Sequence, residues 1–415
     1  MKSEDKKVRF IDLFAGAGGL SEGFIRAGFE PIAHIEMNTF ACETLKTRMA
    51  YHHLAKNNQS GIYTDYLKGI VNRDAFWASV PDKVIKSVIN REISEESIDE
   101  LFKLTDQLKE DQSVDLIVGG PPCQAYSIVG RARDPQNMQS DPRNFLYKYY
   151  LRFIDRYKPK MFVFENVPGI LSAKNGDHLK DIIIGIKEIG YEVEFRTLLA
   201  SEYGVLQNRS RVIIVGWHRG SNLHYPNIQK EENPFKILSD LFSDLPIRNH
   251  GEGELTTPVR YTQPINEYLK YSKIRNGLDF TTQHIARPHN PTDLEIYRQA
   301  IEQWISKRQR LDYSKLAPEL QNHKNTDSFL NRFQVVDPMG FCHTVVAHIA
   351  MDGHYYIYPS LEQIRSITIR EAARIQSFPD DYFFEGSRTA AFKQIGNAVP
   401  VLLAEKIAMK IKEQF

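Results

Sequence analysis

Hydrophobic and polar positions near the start of the chain follow a strand, turn, helix, strand order. Residues 8–13 form a short apolar run, 15–19 a glycine-rich turn, 20–28 a helical pattern ending in glycine, and 31–35 a second apolar run. This order is typical of a βαβ unit, so an α/β fold with a mostly parallel, doubly wound sheet is predicted. The same pattern predicts further strands at 114–118, 161–164 and 211–215, and helices at 145–157 and 179–189.

Two segments interrupt this rhythm. Residues 82–111 carry nine acidic and five basic side chains, a net charge of −4, with apolar residues at helical spacing. We interpret them as an inserted helical hairpin that faces solvent. Between 217 and 331 the β–α alternation disappears and Pro, Asn, Tyr and Thr become frequent, apart from a helical pattern at 291–308. A region of irregular structure is predicted there.

These patterns predict three parts. Residues 1–216 form a first α/β domain that contains the acidic insert at about 82–111, and residues 217–390 form a smaller domain. Residues 391–415 form a C-terminal segment that includes an amphipathic helix at 401–412.

Composition restricts the class of protein. Of the 415 residues, 42% are hydrophobic and 25% are charged, which is typical of a soluble globular chain and excludes disorder or a coiled coil as the overall description. The chain has 53 Lys and Arg against 52 Asp and Glu, so its net charge is only +1. Because the whole protein is too weakly charged to attract a polyanion, any nucleic-acid binding needs a local basic surface. The three cysteines form no CxxC pair and no apolar signal or membrane segment is present, which predicts a cytoplasmic protein without a thiolate metal site.

The glycine turn after the first strand suggests a nucleotide-type ligand. Gly16, Gly18 and Gly19 let the backbone approach a ligand closely at the carboxyl edge of the sheet. The third glycine of a dinucleotide fingerprint is replaced by Ser21, which disfavours a pyrophosphate and a dehydrogenase. Glu36 ends the second strand, where a carboxylate can bind both ribose hydroxyls, so S-adenosylmethionine is the leading candidate. A tight turn followed by an acidic cap would explain the same pair of features.

A cysteine lies in a rigid turn after a buried strand. The run 114–118 leads into Gly119-Gly120-Pro121-Pro122-Cys123, and the two prolines stiffen the turn at the carboxyl edge of the sheet. A thiol held in this way is a candidate nucleophile.

Two more strand-edge motifs supply polar groups. Glu165 and Asn166 follow the strand at 161–164, and a carboxyl group at that edge requires a cation or a substrate hydrogen bond. Arg209 and Arg211 precede the next strand and would point to the same side of an extended chain. A helix cap would also explain Glu165, and a solvated basic turn would explain the arginines.

Five motifs in this order resemble the cytosine-5 DNA methyltransferase family, in particular its bacterial restriction–modification members. They are DLFAGAGG at 12–19, GPPCQ at 120–124, ENV at 165–167, QNRSR at 207–211 and QIGNAVP at 394–400. The stretch at 370–379 also resembles this family. The resemblance implies a Rossmann-like S-adenosylmethionine-dependent methyltransferase fold, with a target recognition domain in the smaller part of the chain. It also implies that residues 391–415 return to the first domain.

The resemblance also implies roles in catalysis. Cys123 would add to carbon 6 of cytosine, so that carbon 5 can attack the methyl group of the cofactor. Glu165 would contact ring nitrogen 3, and Asn166 would help to fix its turn. Arg209 and Arg211 would hold the base carbonyl, the glutamate and nearby backbone. The family reaction requires no metal.

Eight residues match cofactor-binding positions of the family. Phe14 would lie against the adenine, Gly16 and Gly18 against the methionine portion, and Glu36 would bind the ribose. Asp65 is the candidate for the adenine amino contact. The full predicted set is Phe14, Gly16, Gly18, Gly19, Glu36, Asp65, Pro121 and Asn397.

Catalysis on a base within duplex DNA requires that the cytosine be flipped out. Residues 124–160 hold eight basic and three acidic side chains, a net charge of +5, and the loop after Cys123 is predicted to close over phosphates. A solvated helix face would explain part of this count. The predicted DNA contacts are Gln124, Ser127, Gly130, Arg131 and Arg133. The acidic insert and this basic stretch are expected to face different surroundings.

The sequence thus predicts a DNA (cytosine-5)-methyltransferase that uses S-adenosylmethionine and acts as a monomer on double-stranded DNA, with a cognate restriction endonuclease as its functional partner. A transfer RNA methyltransferase of the same architecture is one alternative, although the 115 residues of 217–331 favour DNA. A catalytically silent DNA-binding homologue is another, and the presence of Cys123, Glu165 and both arginines argues against it.

Overall fold

The computed structural model describes residues 7–121, 145–321 and 330–415, and a seven-stranded sheet lies at its centre. The strands of this sheet, numbered along the chain, are β1 (Arg9–Leu13), β2 (Glu30–Glu36), β3 (Val88–Asn90), β4 (Leu116–Gly119), β5 (Met161–Asn166), β6 (Tyr191–Leu199) and β7 (Ser210–His218).

The strand order creates one edge suited to a ligand. Across the sheet the order is β3-β2-β1-β4-β5-β7-β6. Neighbours among the first five positions are parallel, whereas β7 is antiparallel to both β5 and β6. The chain winds outward in both directions from the β1–β4 pair, so a crevice is expected at their carboxyl ends.

Helices pack on both faces of the sheet, and others lie outside it. The helices are α1 (Gly19–Arg26), α2 (Thr39–Lys56), α3 (Gly61–Leu67), α4 (Arg73–Ala78), α5 (Asp82–Lys86), α6 (Ile98–Lys109), α7 (Leu146–Tyr157), α8 (Asp177–Glu188), α9 (Glu267–Tyr271), α10 (Pro291–Lys307), α11 (Ile369–Ile375), α12 (Arg388–Asn397) and α13 (Val401–Lys412). Helices α1 and α13 share a core with Phe10 of β1, whereas α6, α7 and α8 share one with Ile11. Consecutive side chains of a strand point to opposite faces, so β1 contributes to both cores.

Shorter elements complete the chain. Two-residue strands pair Gln207–Asn208 with Cys342–His343 in parallel, and Val259–Arg260 with Phe280–Thr281 in antiparallel orientation. Short 3-10 helices lie at Pro168–Leu171, Ala173–Gly176, Ala200–Tyr203, Tyr313–Lys315, Pro318–Leu320 and Ala347–Ala350, and a π-helical turn at Ile237–Leu241.

The acidic segment 82–111 is part of the α/β core rather than a solvent-facing hairpin. Its residues 88–90 form β3, which pairs in parallel with β2 at the edge of the sheet. Helix α6 buries Ile98 and Leu101 in the core of that face. The helical spacing of its apolar residues is therefore the signature of a packed helix, and the expectation of a solvent-facing insert was wrong.

The described part of the basic stretch, residues 145–160, contacts the acidic segment instead of facing different surroundings. Arg152 of α7 lies 2.8 Å from a carboxylate oxygen of Glu95, and Arg156 lies 2.5 Å from one of Asp106. Since α6 and α7 pack on the same face of the sheet, opposite charges are neighbours there. These two arginines are thus engaged in surface ion pairs.

The C-terminal half has its own apolar core, crossed by buried arginines. Arg374 of α11 is fully buried and lies 2.5 Å from Asp244 and 2.5 Å from Asp380. A buried guanidinium is tolerated when carboxylates compensate its charge. Arg374 therefore ties the segment around residue 244 to the turn that follows α11.

The last helix returns to the sheet. Helix α13 packs against α1, and Gly23 of α1 permits this because a Cβ there would lie 2.4 Å from the Cβ of Ala404. The division at 216 and 390 stays a prediction, although this packing agrees with a returning C-terminal segment. Within the part of the chain that the structure describes, no helix is long and apolar enough to cross a membrane.

Candidate active site

The glycine turn, residues 14–19, connects β1 to α1 at the carboxyl edge of the sheet. Ala15 N–H donates to the Ile35 carbonyl at 3.1 Å, which attaches the turn to β2. Gly16 has a φ of 55°, and no atom of the described residues lies within 4 Å of the position that a Cβ would occupy. The turn therefore borders open space at Gly16, where no atom of the described residues fills the side-chain position.

At Gly18 and Gly19, glycine is required by packing, because a side chain there would collide with neighbouring residues. A Cβ on Gly18, where φ is 81°, would lie 2.7 Å from Leu45 Cδ2, and a Cβ on Gly19 would lie 2.4 Å from the Val399 carbonyl. Protein atoms fill the space that these two residues leave. Their side-chain positions are occupied by packing rather than open to a ligand, which leaves only their backbone for a cofactor.

Glu36 ends β2 beside the turn. Its carboxylate accepts hydrogen bonds from Gly16 N–H at 2.9 Å and from Asn38 N–H at 2.7 Å, one on each oxygen. Burial raises the pKa of Glu36, and the backbone donors oppose that shift. Each oxygen keeps a second lone pair, so the carboxylate can accept further hydrogen bonds from a diol.

Asp12, which was not among the predicted site residues, lies at the end of β1. It is 1% exposed, and neither of its carboxyl oxygens has a hydrogen-bond partner among the described residues. Burial, and then the negative charge of Glu36, raise the pKa of Asp12 well above its usual range. A buried carboxyl group without a partner is costly, so a cation in the neighbouring turn would favour its ionised form.

Asp65, the residue predicted to contact the adenine, does not lie at the end of a strand, whereas Asn90 does. Asp65 lies within α3 rather than after a strand. The strand beside β2 is β3, and its last residue, Asn90, pairs with Glu36. The Asn90 amide donates to the carbonyls of Glu36 at 3.2 Å and Met37 at 3.0 Å. The sequence pattern missed Asn90 because three strand residues within an acidic segment give little signal.

Glu165 and Arg211 form the central pair at the other side of the crevice. Arg211 Nε lies 2.5 Å from Glu165 Oε1, and the two side chains are 9% and 13% exposed. A Cβ on Gly120 would lie 2.6 Å from Glu165 Oε2, so the absence of a side chain at the end of β4 makes room for this carboxylate. The structure thus brings together the motifs that contain Gly120, Glu165 and Arg211.

Asn166 connects two of these motifs. Its side-chain amide donates to the Pro121 carbonyl at 3.3 Å, and its oxygen accepts from Val167 N–H at 2.9 Å. Asn166 is 3% exposed and Pro121 is buried. The side chain of Asn166 therefore holds the chain where it leaves β4.

Arg209 and Arg211 have different partners, although the sequence pattern predicted that both would point to the same side. The Arg209 guanidinium donates to the carbonyls of Val345 at 2.5 Å and Gly396 at 3.1 Å, and Arg209 is 1% exposed. The chain bends here, since Arg209 N–H donates to the Gln207 carbonyl, and this bend breaks the alternation expected of an extended strand.

Asn397 ends α12 close to the glycine turn. It is exposed, and the next residue, Ala398, lies 3.1 Å from the position of a Cβ on Gly19. Gly396, before it, packs on the backbone of Val346 and Ala347. Long-range packing therefore brings the C-terminal motif to the turn that follows β1.

Several predicted residues lie outside the described part of the chain. These are Cys123, Gln124, Ser127, Gly130, Arg131 and Arg133. Pro121 is the last described residue before them. Across the described ranges, no group of three or more His, Cys, Asp or Glu side chains is arranged to hold a metal ion.

Solved structures of other chains share this architecture. A prophage-encoded chain from E. coli, described as a DNA modification methyltransferase, superposes with a TM-score of 0.64 at 22% identity, covering 98% of this chain and 99% of that one. The methyltransferase EhMeth of Entamoeba histolytica superposes with a TM-score of 0.53 at 14% identity, covering 98% of each chain. The fold is thus the α/β, Rossmann-like fold of these methyltransferases, as predicted.

Sequence comparison identifies the family. The profile of the C-5 cytosine-specific DNA methylases matches residues 8–82 and 71–413, so the chain belongs to this family. The predicted family and methyltransferase activity are thereby confirmed. Family members depend on S-adenosylmethionine.

Close relatives extend over nearly the whole chain. The type II methyltransferase M.Bpa9945I of Bacillus paralicheniformis is 42% identical, covering 97% of this chain and 98% of its own. The type II methyltransferase M.DdeI of Desulfomicrobium norvegicum is 32% identical, covering 98% and 89%.

Proposed function

We propose that this chain is the modification methylase of a type II restriction–modification system, acting as a monomer on double-stranded DNA, with a cognate restriction endonuclease as its functional partner. The observation that carries the methyl-transfer part of the proposal is the Glu165–Arg211 pair, 2.5 Å apart, which lies beside the end of β4 where the chain continues to Cys123. Relatives of similar length named type II methyltransferases support it.

The residues around the glycine turn fit S-adenosylmethionine. Glu36 has free acceptor capacity for two ribose hydroxyls, and Gly16 leaves open space beside it. Asp12 lies near the end of β1 without a hydrogen-bond partner among the described residues, and a cationic methionine portion nearby would favour its ionised form. Phe14, Pro121 and the backbone of Gly18, Gly19 and Asn397 complete the proposed site. When bound, the cofactor supplies a methyl group as an electrophile.

Asn90 replaces Asp65 in the proposed contact to the adenine. It follows β3 and lies beside Glu36, whereas Asp65 is in the middle of α3. The amide of Asn90 already positions the carbonyls of Glu36 and Met37. Its side-chain oxygen can accept from an exocyclic amino group.

Glu165 and Arg211 are proposed to hold the target cytosine. The guanidinium fixes one oxygen of the carboxylate, which leaves the other oxygen to contact ring nitrogen 3. Asn166 keeps Pro121 in place, and so positions the start of the segment that contains the nucleophile Cys123. Thiolate addition to carbon 6 then has a protonated or hydrogen-bonded ring to accept the electron pair.

Arg209 is proposed to act through the backbone. By holding the carbonyls of Val345 and Gly396, it connects the segment 342–347 to the end of α12, next to Asn397. It is thus a positioning residue, while Arg211 contacts Glu165 directly.

Transfer of a labelled methyl group tests the activity. The purified protein is incubated with labelled S-adenosylmethionine and either duplex DNA or transfer RNA, and bisulfite sequencing locates modified cytosines. Label in the duplex at one recurring sequence supports the proposal. Label in transfer RNA alone would favour the RNA enzyme, and binding of duplex without transfer would favour a silent homologue.

A matched pair of variants tests the site. Glu165→Gln keeps the shape but removes the charge, and we expect kcat to fall about 100-fold or more. Glu194→Gln, at an exposed glutamate of β6 that pairs with Arg196, is the control and should keep the wild-type rate. Equal rates for both variants would contradict the role of Glu165.

A further inference from the structure

Tyr382 lies beneath the glycine turn although it is 365 residues away from Ala17 in the sequence. Its hydroxyl donates to the Ala17 carbonyl at 2.5 Å, and the side chain is 1% exposed. A Cβ on Gly18 would lie 2.9 Å from the same hydroxyl. The hydroxyl and the turn therefore fit together because residue 18 has no side chain.

The backbone of Tyr382 is itself firmly held. Arg370 of α11 donates to the Tyr382 carbonyl at 2.8 Å and to the Pro379 carbonyl at 3.1 Å. The ring packs on Phe378, with centroids 4.8 Å apart. A side chain that is locked by packing and by hydrogen bonds can position another group accurately.

A second connection joins the same segment to the start of α1. Arg48 of α2 forms ion pairs with Glu22 at 2.6 Å and Asp381 at 3.1 Å, and its guanidinium lies 4.8 Å from the Tyr382 ring centroid. Glu22 is in the first turn of α1, directly after the glycine turn. Residues 381 and 382 thus hold the turn and the helix that follows it.

We propose that Tyr382 is a positioning residue for the cofactor, holding the glycine turn through the Ala17 carbonyl in the conformation that receives the methionine portion. This inference rests on the proposed function, because it assumes that the turn binds S-adenosylmethionine. Without the hydroxyl, the buried Ala17 carbonyl loses its partner and the turn leaves this conformation for part of the time. The apparent affinity for the cofactor falls by that fraction.

The test compares two tyrosines in the same environment. In Tyr382→Phe we expect the Kd for the product S-adenosylhomocysteine, measured by calorimetry, to rise about fivefold to twentyfold, with an unchanged Kd for duplex DNA. Tyr268→Phe is the matched control, since the Tyr268 hydroxyl is also fully buried in this core and donates to a backbone carbonyl, that of Gly204, at 3.1 Å. The control should keep its Kd within about twofold of the wild type.

The outcomes separate this proposal from the proposed function. If the wild type does not bind S-adenosylhomocysteine, the cofactor site itself is wrong. If the wild type binds and Tyr382→Phe binds equally well, or if both variants weaken binding alike, the role of Tyr382 is refuted.

Hydrogen exchange keeps the proposal testable if Tyr382→Phe does not fold. In the free wild type, the amides of Gly18 and Glu22 donate to Ala15 and Gly18 at 3.0 and 2.7 Å. A turn held by Tyr382 predicts slow exchange in peptides covering residues 14–24 before any cofactor is added. Fast exchange that becomes slow only with S-adenosylhomocysteine would overturn it.

Discussion

Replacing Gly120 with alanine perturbs the position of Glu165. A Cβ on residue 120 would lie 2.6 Å from Glu165 Oε2 and 3.2 Å from its backbone carbonyl, whereas ordinary contacts begin at 3.4 Å. The carboxylate must therefore move by about 0.8 Å. Because Arg211 Nε holds the other oxygen at 2.5 Å, that movement distorts the ion pair.

The expected effect is large on catalysis and small on folding. A misplacement of about 1 Å at a catalytic group costs about 100-fold in rate. We expect kcat to fall about 30- to 100-fold, which corresponds to about 2 to 2.7 kcal/mol of transition-state stabilisation. The free energy of unfolding should change by less than about 1 kcal/mol, because the shorter contact is with the end of a side chain and the 3.2 Å contact with the backbone carbonyl requires a shift of only about 0.2 Å.

Steady-state methyl transfer at saturating DNA and cofactor measures kcat, and thermal unfolding measures stability. Gly61→Ala is the control, because no described atom lies within 4 Å of a Cβ there. This variant should retain the wild-type kcat. A Gly120→Ala enzyme with more than about a third of the wild-type kcat would refute the placement of Glu165, as would a loss explained entirely by unfolded protein.

Three further predictions follow from the site and the buried groups. Cys123→Ser should abolish turnover while the Kd for S-adenosylhomocysteine stays nearly unchanged, and an active serine enzyme would exclude Cys123 as the nucleophile. Asn90→Ala should raise that Kd about tenfold and Asp65→Ala should leave it unchanged; calorimetry giving the reverse order would restore Asp65. Burial lowers the pKa of His284 to about 4 and of His289 to about 3. Because the unfolded chain takes up these protons below about pH 6.5, the free energy of unfolding should decrease as the pH falls from about 6.5 towards 4, by up to about 1.4 kcal/mol per pH unit for each histidine. Urea unfolding of His289→Gln should show a shallower dependence, and an unchanged slope would contradict this assignment.

Local pattern was sufficient for much of the α/β framework. The predicted strand at 8–13 is β1 at Arg9–Leu13, and the predicted helix at 401–412 is α13 with the same bounds. Buried strands and amphipathic helices carry a strong periodic signal, so these elements could be found from a single sequence. Strand β6 was missed because it is a sheet edge whose middle residues are exposed, which removes the apolar run.

Motif order located the residues of the candidate site, but not their partners. The α/β class, the position of the site at the carboxyl edge of the sheet and the strand-end positions of Glu36 and Glu165 could all be predicted from the amino-acid sequence. Tertiary packing was needed to show that Arg209 binds backbone carbonyls while Arg211 binds Glu165, and that Tyr382 donates to the glycine turn. Packing also brings Arg152 and Arg156 of the basic stretch to Glu95 and Asp106 of the acidic segment. This difference arises because secondary structure depends mainly on neighbours along the chain, whereas side-chain partners depend on contacts between residues far apart in sequence, which form only when the sheet and its helices pack.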